Sequence, residues 1–132
     1  MKRNEESGGD ERDVKLCIPS LGSGGMNDQV SEHFGRAPTF TIVNMTNNEV
    51  TVMQNTGEHF GGSGNTPELV AAAGAEVLLC SGLGPRAIAA FEQFGIEVYV
   101  GARGTVKDAI KAFQAGELIE ACENNACKEH RH

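Results

Sequence analysis

The fold of this chain is decided by residues 66–100, which read TPELVAAAGAEVLLCSGLGPRAIAAFEQFGIEVYV. The stretch opens with a cap, a first-turn proline and a first-turn acid, Thr66, Pro67 and Glu68, a combination typical of a helix start. Short apolar strands and helix signals then alternate. The predicted order is a helix ending at Gly74, a strand at residues 76–80, a helix over residues 84–94 and a strand at residues 96–100. Short strand-to-helix loops demand right-handed crossovers, so we expect these two strands to be parallel.

The sequence on either side of this stretch completes an α/β sandwich. Runs of β-prone residues at 14–18, 40–43 and 50–53 predict a strand followed by an antiparallel hairpin. Thr105 and Asp108 resemble a capping box at the start of a third helix. We therefore predict an α/β fold with elements in the order βββαβαβα, in which a mixed sheet of about five strands has helices packed on both faces.

The composition is typical of a globular protein with one folded domain. The chain has 132 residues, of which 39% are hydrophobic, and no apolar run approaches the roughly 20 residues that a membrane span needs. We therefore expect no membrane partner, and we expect no nucleic-acid partner because a net charge of −7 repels phosphate backbones. Residues 1–13 lack the apolar core of a signal peptide, which predicts a cytoplasmic location. We expect a disordered extension at residues 1–13, a folded domain over residues 14–119 and a flexible tail over residues 120–132.

Glycine-rich loops follow the predicted parallel strands. Ligands bind beyond the carboxyl ends of such strands, and free amides at helix starts favour anions, so these loops are candidate anion-binding loops. The candidate glycines are Gly22, Gly24, Gly25, Gly82, Gly84 and Gly104. The alternative is that each glycine only permits a tight turn. A nucleotide is weakly supported, because the chain lacks GxxxxGK[ST] and residues 82–87 keep only two of the three glycines of GxGxxG.

The segment between the first strand and the hairpin, residues 26–38, brings two candidate side chains toward the same edge. His33 can ligate a metal or hydrogen-bond an anion. Arg36 can supply guanidinium donors to an anion. The alternative interpretations are a half-buried structural histidine and an arginine in a surface salt bridge.

Four motifs in order make the sequence similar to a known family. They are VSEHFGRAPTF at residues 30–40, GGSGN at residues 61–65, GLGPRA at residues 82–87 and GTVKDAI at residues 104–110. Together they resemble the dinitrogenase iron-molybdenum cofactor biosynthesis family, whose nitrogenase members form the NifX, NafY and NifB C-terminal group. The resemblance implies a ribonuclease H-like fold and a carrier, not a catalyst, for iron-molybdenum cofactor or a related iron–sulfur type of cluster.

The resemblance makes His33, which matches the histidine of the family's HFG motif, the first candidate cluster ligand. Because a metal–sulfur cluster is anionic, a pocket of amides with one or two soft or borderline ligands suits it. Met26 and Cys80 are the candidate sulfur ligands, and Arg36 is a candidate for binding the negatively charged cluster through its guanidinium group. The alternatives are that Met26 covers the loop and that Cys80 is buried at a strand end. Cys17, in the middle of the first strand, is expected in the core.

The C-terminal tail carries a second group of candidate metal ligands. They are Cys122, Cys127, His130 and His132, enough for a small tetrahedral zinc or iron site. The Cys-x4-Cys spacing is not typical of zinc sites, so an unstructured end with incidental thiols is the alternative. A third interpretation is that the tail thiols reach the pocket and complete the coordination of a cluster.

These observations lead to one principal functional hypothesis and two alternatives. The principal one is a cytoplasmic, monomeric carrier of an anionic metal–sulfur cluster that exchanges it with cofactor-assembly or acceptor proteins. The first alternative is a regulatory or scaffold domain that binds a small anion or a protein partner without metal. The second is an enzyme of nucleotide or phosphate chemistry. Nuclease chemistry is disfavoured, because the strand at residues 14–18 has no carboxylate to hold catalytic metal ions.

Overall fold

A computed structural model describes residues 14–55 and 65–121 of the chain. Its elements are β1 (Lys15–Ser20), a 3-10 helix (Phe34–Arg36), β2 (Thr39–Asn44), β3 (Glu49–Gln54), α1 (Asn65–Ala72), β4 (Val77–Cys80), α2 (Pro85–Gln93), β5 (Glu97–Val100), α3 (Val106–Gln114) and β6 (Ile119–Ala121). The strands form one sheet in the order β3-β2-β1-β4-β5-β6. The predicted α/β architecture with a mixed sheet is therefore confirmed.

Strand directions divide the sheet into a parallel centre and antiparallel flanks. β1, β4 and β5 run parallel, as predicted, and β2 and β3 form the expected antiparallel hairpin beside β1. The described sheet has six strands where we expected about five, because β6 pairs antiparallel with β5. β6 is too short and too exposed to show an apolar pattern, so pairing with β5, not local sequence, defines it. The sheet accordingly continues to Ala121.

β1 continues two residues past the predicted end at residue 18. Pro19 lies within the strand, opposite Phe40 of β2, although proline removes a backbone donor. The ladder between β1 and β4 reaches only Leu16 and Cys17, and beyond it an isolated bridge between Ser20 and Val30 occupies this side of β1. The missing N–H group of Pro19 therefore lies outside the ladder between β1 and β4.

Each face of the sheet carries its own apolar core. Alternation along β1 sends Cys17 to one face and Leu16 and Ile18 to the other. The first face is covered by α1 and α2, with Val70, Ile88 and Phe91 among the buried side chains. The second face is covered by α3, with Val106, Ala109 and Ile110 buried against the strands. Helices on both faces are thus confirmed.

The helix ends follow the signals in the sequence. Gly74, Gly95 and Gly116 follow α1, α2 and α3 with φ of 88°, 76° and 75°, a conformation that glycine adopts without strain. Thr105 caps α3, and Thr105 and Asp108 exchange hydrogen bonds in a capping box. The predicted starts and stops of these helices are therefore accurate to within two or three residues.

Three predicted features lie outside the described residues. They are the N-terminal extension at residues 1–13, the GGSGN motif up to residue 64 and the tail from residue 122. Among the residues that are described, no helix combines the length and the apolar character that crossing a bilayer requires.

Candidate anion-binding site at the carboxyl edge of the sheet

β1, β4 and β5 all end at one edge of the sheet, which we call the carboxyl edge. The loops after β4 and β5 and the segment that follows the β1 loop enclose an open depression of about 500 Å³ there. Its lining consists of Glu32, His33, Ser81, Gly82, Gly101, Ala102 and Arg103. The depression thus lies where ligands bind in open parallel sheets.

His33 is held at this depression by its anchored neighbours. Ser31 is buried, and its amide donates to the carbonyl of Pro19 at 2.8 Å, which ties the segment to the end of β1. The ring of Phe34 enters the core, where it stacks on Phe40 at 5.1 Å and meets Phe91 edge-on at 5.2 Å. Between these two anchors the His33 side chain is exposed and lines the depression.

In the part of the chain that the structure describes, the first backbone amides of α2 have no acceptors. Gly84 caps the helix but has no side chain to accept a hydrogen bond, and Pro85 follows it. Within the described residues, the amides of Gly82, Arg86 and Ala87 donate to no acceptor. Free amides and the helix dipole favour negative charge at this point.

Two glycines in this loop have no conformational reason to be glycine. Neither Gly82 nor Gly84 has a positive φ, and a Cβ built on either would meet nothing within 4 Å. The loop would therefore tolerate side chains, and their absence leaves the amides open to a ligand.

The loops after β4 and β5 are tied together beneath the depression. The amide of Gly101 donates to the backbone carbonyl of Ser81 at 3.1 Å, and the amide of Ala102 donates to that of Cys80 at 3.0 Å. The Ser81 hydroxyl donates in turn to the carbonyl of Ala102 at 2.8 Å. These contacts form a fixed floor for the depression.

Arg103 is a site residue that the sequence interpretation did not single out. Its exposed side chain lines the depression beside His33 and also a second, adjoining depression of about 500 Å³. Its guanidinium group supplies positive charge to a depression whose lining also includes Glu32. In the sequence, the signal for this residue is its positive charge between Gly101 and Gly104, the two glycines that follow β5.

The glycine loop after β1 is organised differently, because its own carboxylate fills it. Asp28 accepts hydrogen bonds of 2.8 Å from the amides of Gly22, Gly24 and Gln29. Partial desolvation acts to raise the pKa of Asp28, but these three hydrogen bonds outweigh it, and the pKa lies below its ordinary value. The amide of Gly25 donates to the Thr41 hydroxyl at 3.0 Å. An external anion would have to displace these internal acceptors.

The start of α3 is closed by the same loop. The amide of Val106 donates to the carbonyl of Asp28 at 2.8 Å, and the amide of Lys107 donates to that of Met26 at 3.0 Å. The Asp108 carboxylate accepts from the amide of Thr105 at 3.0 Å. The capping box and the β1 loop thus satisfy the first amides of α3, next to Gly104.

The other candidate ligands stand apart from the depression. Cys80 is 1% exposed, burial raises the pKa of its thiol to about 12, and its Sγ lies 3.7 Å from the carbonyl of Tyr99. Met26 packs against the core under α3, and the exposed Arg36 does not line the depression. Cys17 is fully buried, as predicted. Of the candidate ligands that lie within residues 14–55 and 65–121, only His33 lines the depression.

The tail ligands Cys122, Cys127, His130 and His132 lie outside the described residues. At Ala121, which pairs with Val98, the chain runs toward the edge opposite the carboxyl edge. Among the described residues, no three His, Cys, Asp or Glu side chains are grouped so as to hold a metal ion.

Comparison with known proteins gives consistent results. Residues 14–116 match the family model for dinitrogenase iron-molybdenum cofactor proteins. An uncharacterized protein of Methanocaldococcus jannaschii is 34% identical over 97 residues, which are 70% of this chain and 82% of that protein. The apo form of the orange protein from Desulfovibrio gigas superposes with a TM-score of 0.75 at 28% identity, covering 83% of this chain and 94% of that one. A Thermotoga protein provisionally named NifB superposes with a TM-score of 0.71 at 32% identity, covering 81% and 92% of the two chains.

Proposed function

Because the chain belongs to the dinitrogenase iron-molybdenum cofactor family, we propose that it carries an anionic metal–sulfur cluster at the carboxyl edge of its sheet. The cluster is cargo that is bound and handed on, not a resident cofactor that performs a reaction. The proposal rests on family membership and on the chemistry of the depression beside α2. Family membership alone supports only a role connected with the cofactor. The assignment of a binding site therefore depends on the residues of the depression.

The observation that carries the proposal is the loop at residues 81–84. Neither Gly82 nor Gly84 has a positive φ or a neighbour close enough to exclude a side chain. Among the described residues, the amides of Gly82, Arg86 and Ala87 nevertheless have no acceptor. A bulky anion would use both the exposed amides and the space that side chains would fill. Sulfido groups of a cluster are weak hydrogen-bond acceptors, so several convergent amides suit them better than one strong contact.

We assign three roles to the residues of the depression. The His33 imidazole is the single protein ligand to a metal of the cluster. Arg103 balances negative charge, while the amides near Gly82 and at the start of α2 donate to sulfur. One ligand leaves the other metal positions open, which lets an acceptor protein take the cluster over.

The burial of Cys80 supports a carrier without permanent ligation by this cysteine. Cys80 is 1% exposed, and neither it nor Met26 or Arg36 lines the depression. We therefore assign none of these three residues to the cluster. Five further points remain predictions that accompany the proposal. They are the identity of the cluster as iron-molybdenum or iron–sulfur, a cytoplasmic location, assembly partners, a ribonuclease H-like classification and zinc in the tail.

The proposal is tested by anaerobic titration with two probes, tetrathiomolybdate and an iron–sulfur cluster assembled from Fe²⁺ and sulfide. Charge-transfer absorption and elemental analysis report binding. We expect His33→Ala to weaken binding at least about tenfold, the equivalent of about 1.4 kcal/mol. Arg103→Ala is expected to weaken it less, because the arginine supplies charge and no metal bond.

Arg36→Ala is the matched control for these variants, since Arg36 is an exposed arginine close in sequence that does not line the depression. It is expected to bind both probes like the wild type. Equal affinities in wild type and His33→Ala would remove the ligand assignment. A chain that takes up neither probe would favour the scaffold alternative, in which the depression binds a small anion or a protein without metal.

A further inference from the structure

A separate cavity lies at the edge of the sheet opposite the carboxyl edge, which we call the amino edge because β1 begins there. It has a volume of about 310 Å³ and lies between the end of α1 and the β2–β3 hairpin. This volume is at the lower end of the roughly 300–1,000 Å³ that small-molecule sites occupy. The length of β1 separates this cavity from the depression beside α2, so the two are distinct.

Three polar side chains form one row across the strands at this cavity. Strand register places Lys15 of β1 opposite Asn44 of β2, and Asn44 opposite Glu49 of β3. Residues directly opposite each other share a face of the sheet, and neighbouring strands lie about 4.8 Å apart. A cation, an amide and a carboxylate thus line the cavity side by side.

Asn44 presents a hydrogen-bond donor that the fold does not use. The residue is only 5% exposed, and its Oδ1 accepts from the amides of Thr46 at 2.8 Å and Asn47 at 3.4 Å, which orients the side-chain amide. Within the described residues, its Nδ2 donates to no acceptor. Small-molecule sites typically combine an apolar lining with a few such fixed polar groups. The Nδ2 group is therefore available to an acceptor that enters the cavity.

Lys15 and Glu49 carry opposite charges at the same cavity without pairing. In the part of the chain that the structure describes, neither side chain makes an ion pair. The Lys15 side chain lies against Gly74 at the end of α1, where an added Cβ would come within 3.4 Å of Nζ. The two charges are thus kept apart by β2, with the Asn44 amide between them.

Behind the polar row the lining is mainly apolar. Ile42 and Met53 follow on the same face of β2 and β3, and Ala73 closes the cavity from the end of α1. Ile42 is buried, and the other two are half-buried. An apolar group that enters the cavity would therefore lose contact with water against these side chains.

We propose that this cavity binds a small zwitterion, namely an α-amino acid with an apolar side chain. The carboxylate of the ligand accepts from Asn44 Nδ2 and pairs with Lys15, while its ammonium group pairs with Glu49. Its side chain packs against the apolar lining. A simple anion would be repelled by Glu49, and a simple cation would be repelled by Lys15, so a zwitterion fits the row best. This inference is independent of the proposed carrier function.

The first experiment titrates the full chain with three probes and follows the methyl signals of Ile42 and Met53 by NMR. L-leucine is the zwitterion, 4-methylpentanoate is the same molecule without the ammonium group, and 3-methylbutylamine is the same molecule without the carboxylate. We expect saturable shifts with L-leucine at a dissociation constant of about 1 mM or lower, and at least about fivefold weaker binding of each analogue. No saturable shift with L-leucine, or an analogue that binds as tightly, would overturn the proposal.

The second experiment repeats the L-leucine titration with variants of the polar row. Asn44→Asp keeps Oδ1 for the turn but replaces the donor with an oxygen that repels a carboxylate. Lys15→Met removes the charge and keeps an unbranched side chain against Gly74. We expect at least about tenfold weaker binding for Asn44→Asp and about two- to fivefold weaker binding for Lys15→Met.

Lys111→Met is the matched control, since Lys111 is an exposed lysine of α3 that does not line the cavity. It is expected to bind L-leucine like the wild type, and thermal unfolding shows whether each variant folds. An unchanged affinity in Asn44→Asp, or an equal loss in Lys15→Met and Lys111→Met, would refute the site. If Asn44→Asp does not fold, an unchanged affinity in Lys15→Met refutes it instead.

Discussion

Two glycine-rich loops at the carboxyl edge look alike in sequence, but they differ in whether their backbone amides have hydrogen-bond acceptors. The closed loop, residues 22–28, donates its amides to its own Asp28 and supplies carbonyls to the start of α3. The open loop, residues 81–84, leads into α2 and, within the described residues, leaves the amides of Gly82, Arg86 and Ala87 without acceptors. The two loops differ because the closed loop contains its own acceptor, the Asp28 carboxylate.

The difference shows that glycine content alone does not identify an anion site. Gly24 is glycine because its φ is 90° and a Cβ would lie 2.6 Å from Val52. Gly82 meets neither condition. A glycine that the fold does not require is thus the better indication of a ligand, which favours the open loop as the candidate site.

The largest stability effect is expected for Gly24→Ala in the closed loop. The new Cβ would collide with the Val52 side chain in a backbone conformation that alanine avoids. Strain and overpacking together predict a loss of about 2–4 kcal/mol in the free energy of unfolding. Denaturant unfolding at pH 7 measures it, and a stability within about 0.5 kcal/mol of the wild type would show that the loop is not tightly packed on β3.

Asp28→Ala is expected to have a somewhat smaller effect on the closed loop. Three amides lose their common acceptor, although water replaces part of what is lost at this accessible site. We expect a loss of about 1–3 kcal/mol in the free energy of unfolding. Exposed Glu32→Ala, which removes a carboxylate without such hydrogen bonds in the described contacts, is the control and should be near neutral.

Acid should weaken the closed loop by the same mechanism. Hydrogen bonds from Gly22, Gly24 and Gln29 outweigh desolvation and hold the pKa of Asp28 below its ordinary 3.8, and those from Thr105 lower the pKa of Asp108 likewise. A depressed pKa in the folded state stabilises the fold fully above pH 3.8, and this contribution is lost as the pH falls below that value. Unfolding measured between pH 6 and pH 2.5 should therefore show a drop that is shallower in Asp28→Asn. Parallel profiles for the two proteins would contradict this mechanism.

The smallest stability effect is expected for Gly82→Ala in the open loop. A Cβ at this position meets nothing within 4 Å and needs no change of φ. We expect the free energy of unfolding to stay within about 0.5 kcal/mol of the wild type. The affinity for tetrathiomolybdate should nevertheless fall, since the methyl group occupies space beside the free amides. An unchanged affinity would place the cargo elsewhere.

Local sequence signals were sufficient for most of the fold. The alternation of strands and capped helices over residues 66–100 predicted the parallel centre, and the capping box at Thr105 and Asp108 is present as expected. β6 was missed because three exposed residues carry no periodic pattern and depend on pairing with β5. The predicted end of β1 was two residues too early, because whether the strand tolerates Pro19 depends on where β4 stops pairing with β1.

The candidate site could be predicted only in part. His33 and Gly82 were expected at the carboxyl edge, and the structure places both in the lining of one depression. Sequence alone could not show that Asp28 fills the closed loop, since that depends on the folding of the loop around a carboxylate. Nor could it separate Arg103 from Arg36, because only the packing of the loop after β5 against the β4 loop decides which arginine faces the depression.

The most direct test of the central claim is an amide-resolved NMR titration of the full chain with tetrathiomolybdate under anaerobic conditions. If the open loop binds the cargo, the amide signals of Gly82, Arg86 and Ala87 and the ring signals of His33 shift together, while those of Gly22 and Gly24 stay in place. Shifts concentrated at residues 22–28, with the start of α2 unaffected, would contradict the account.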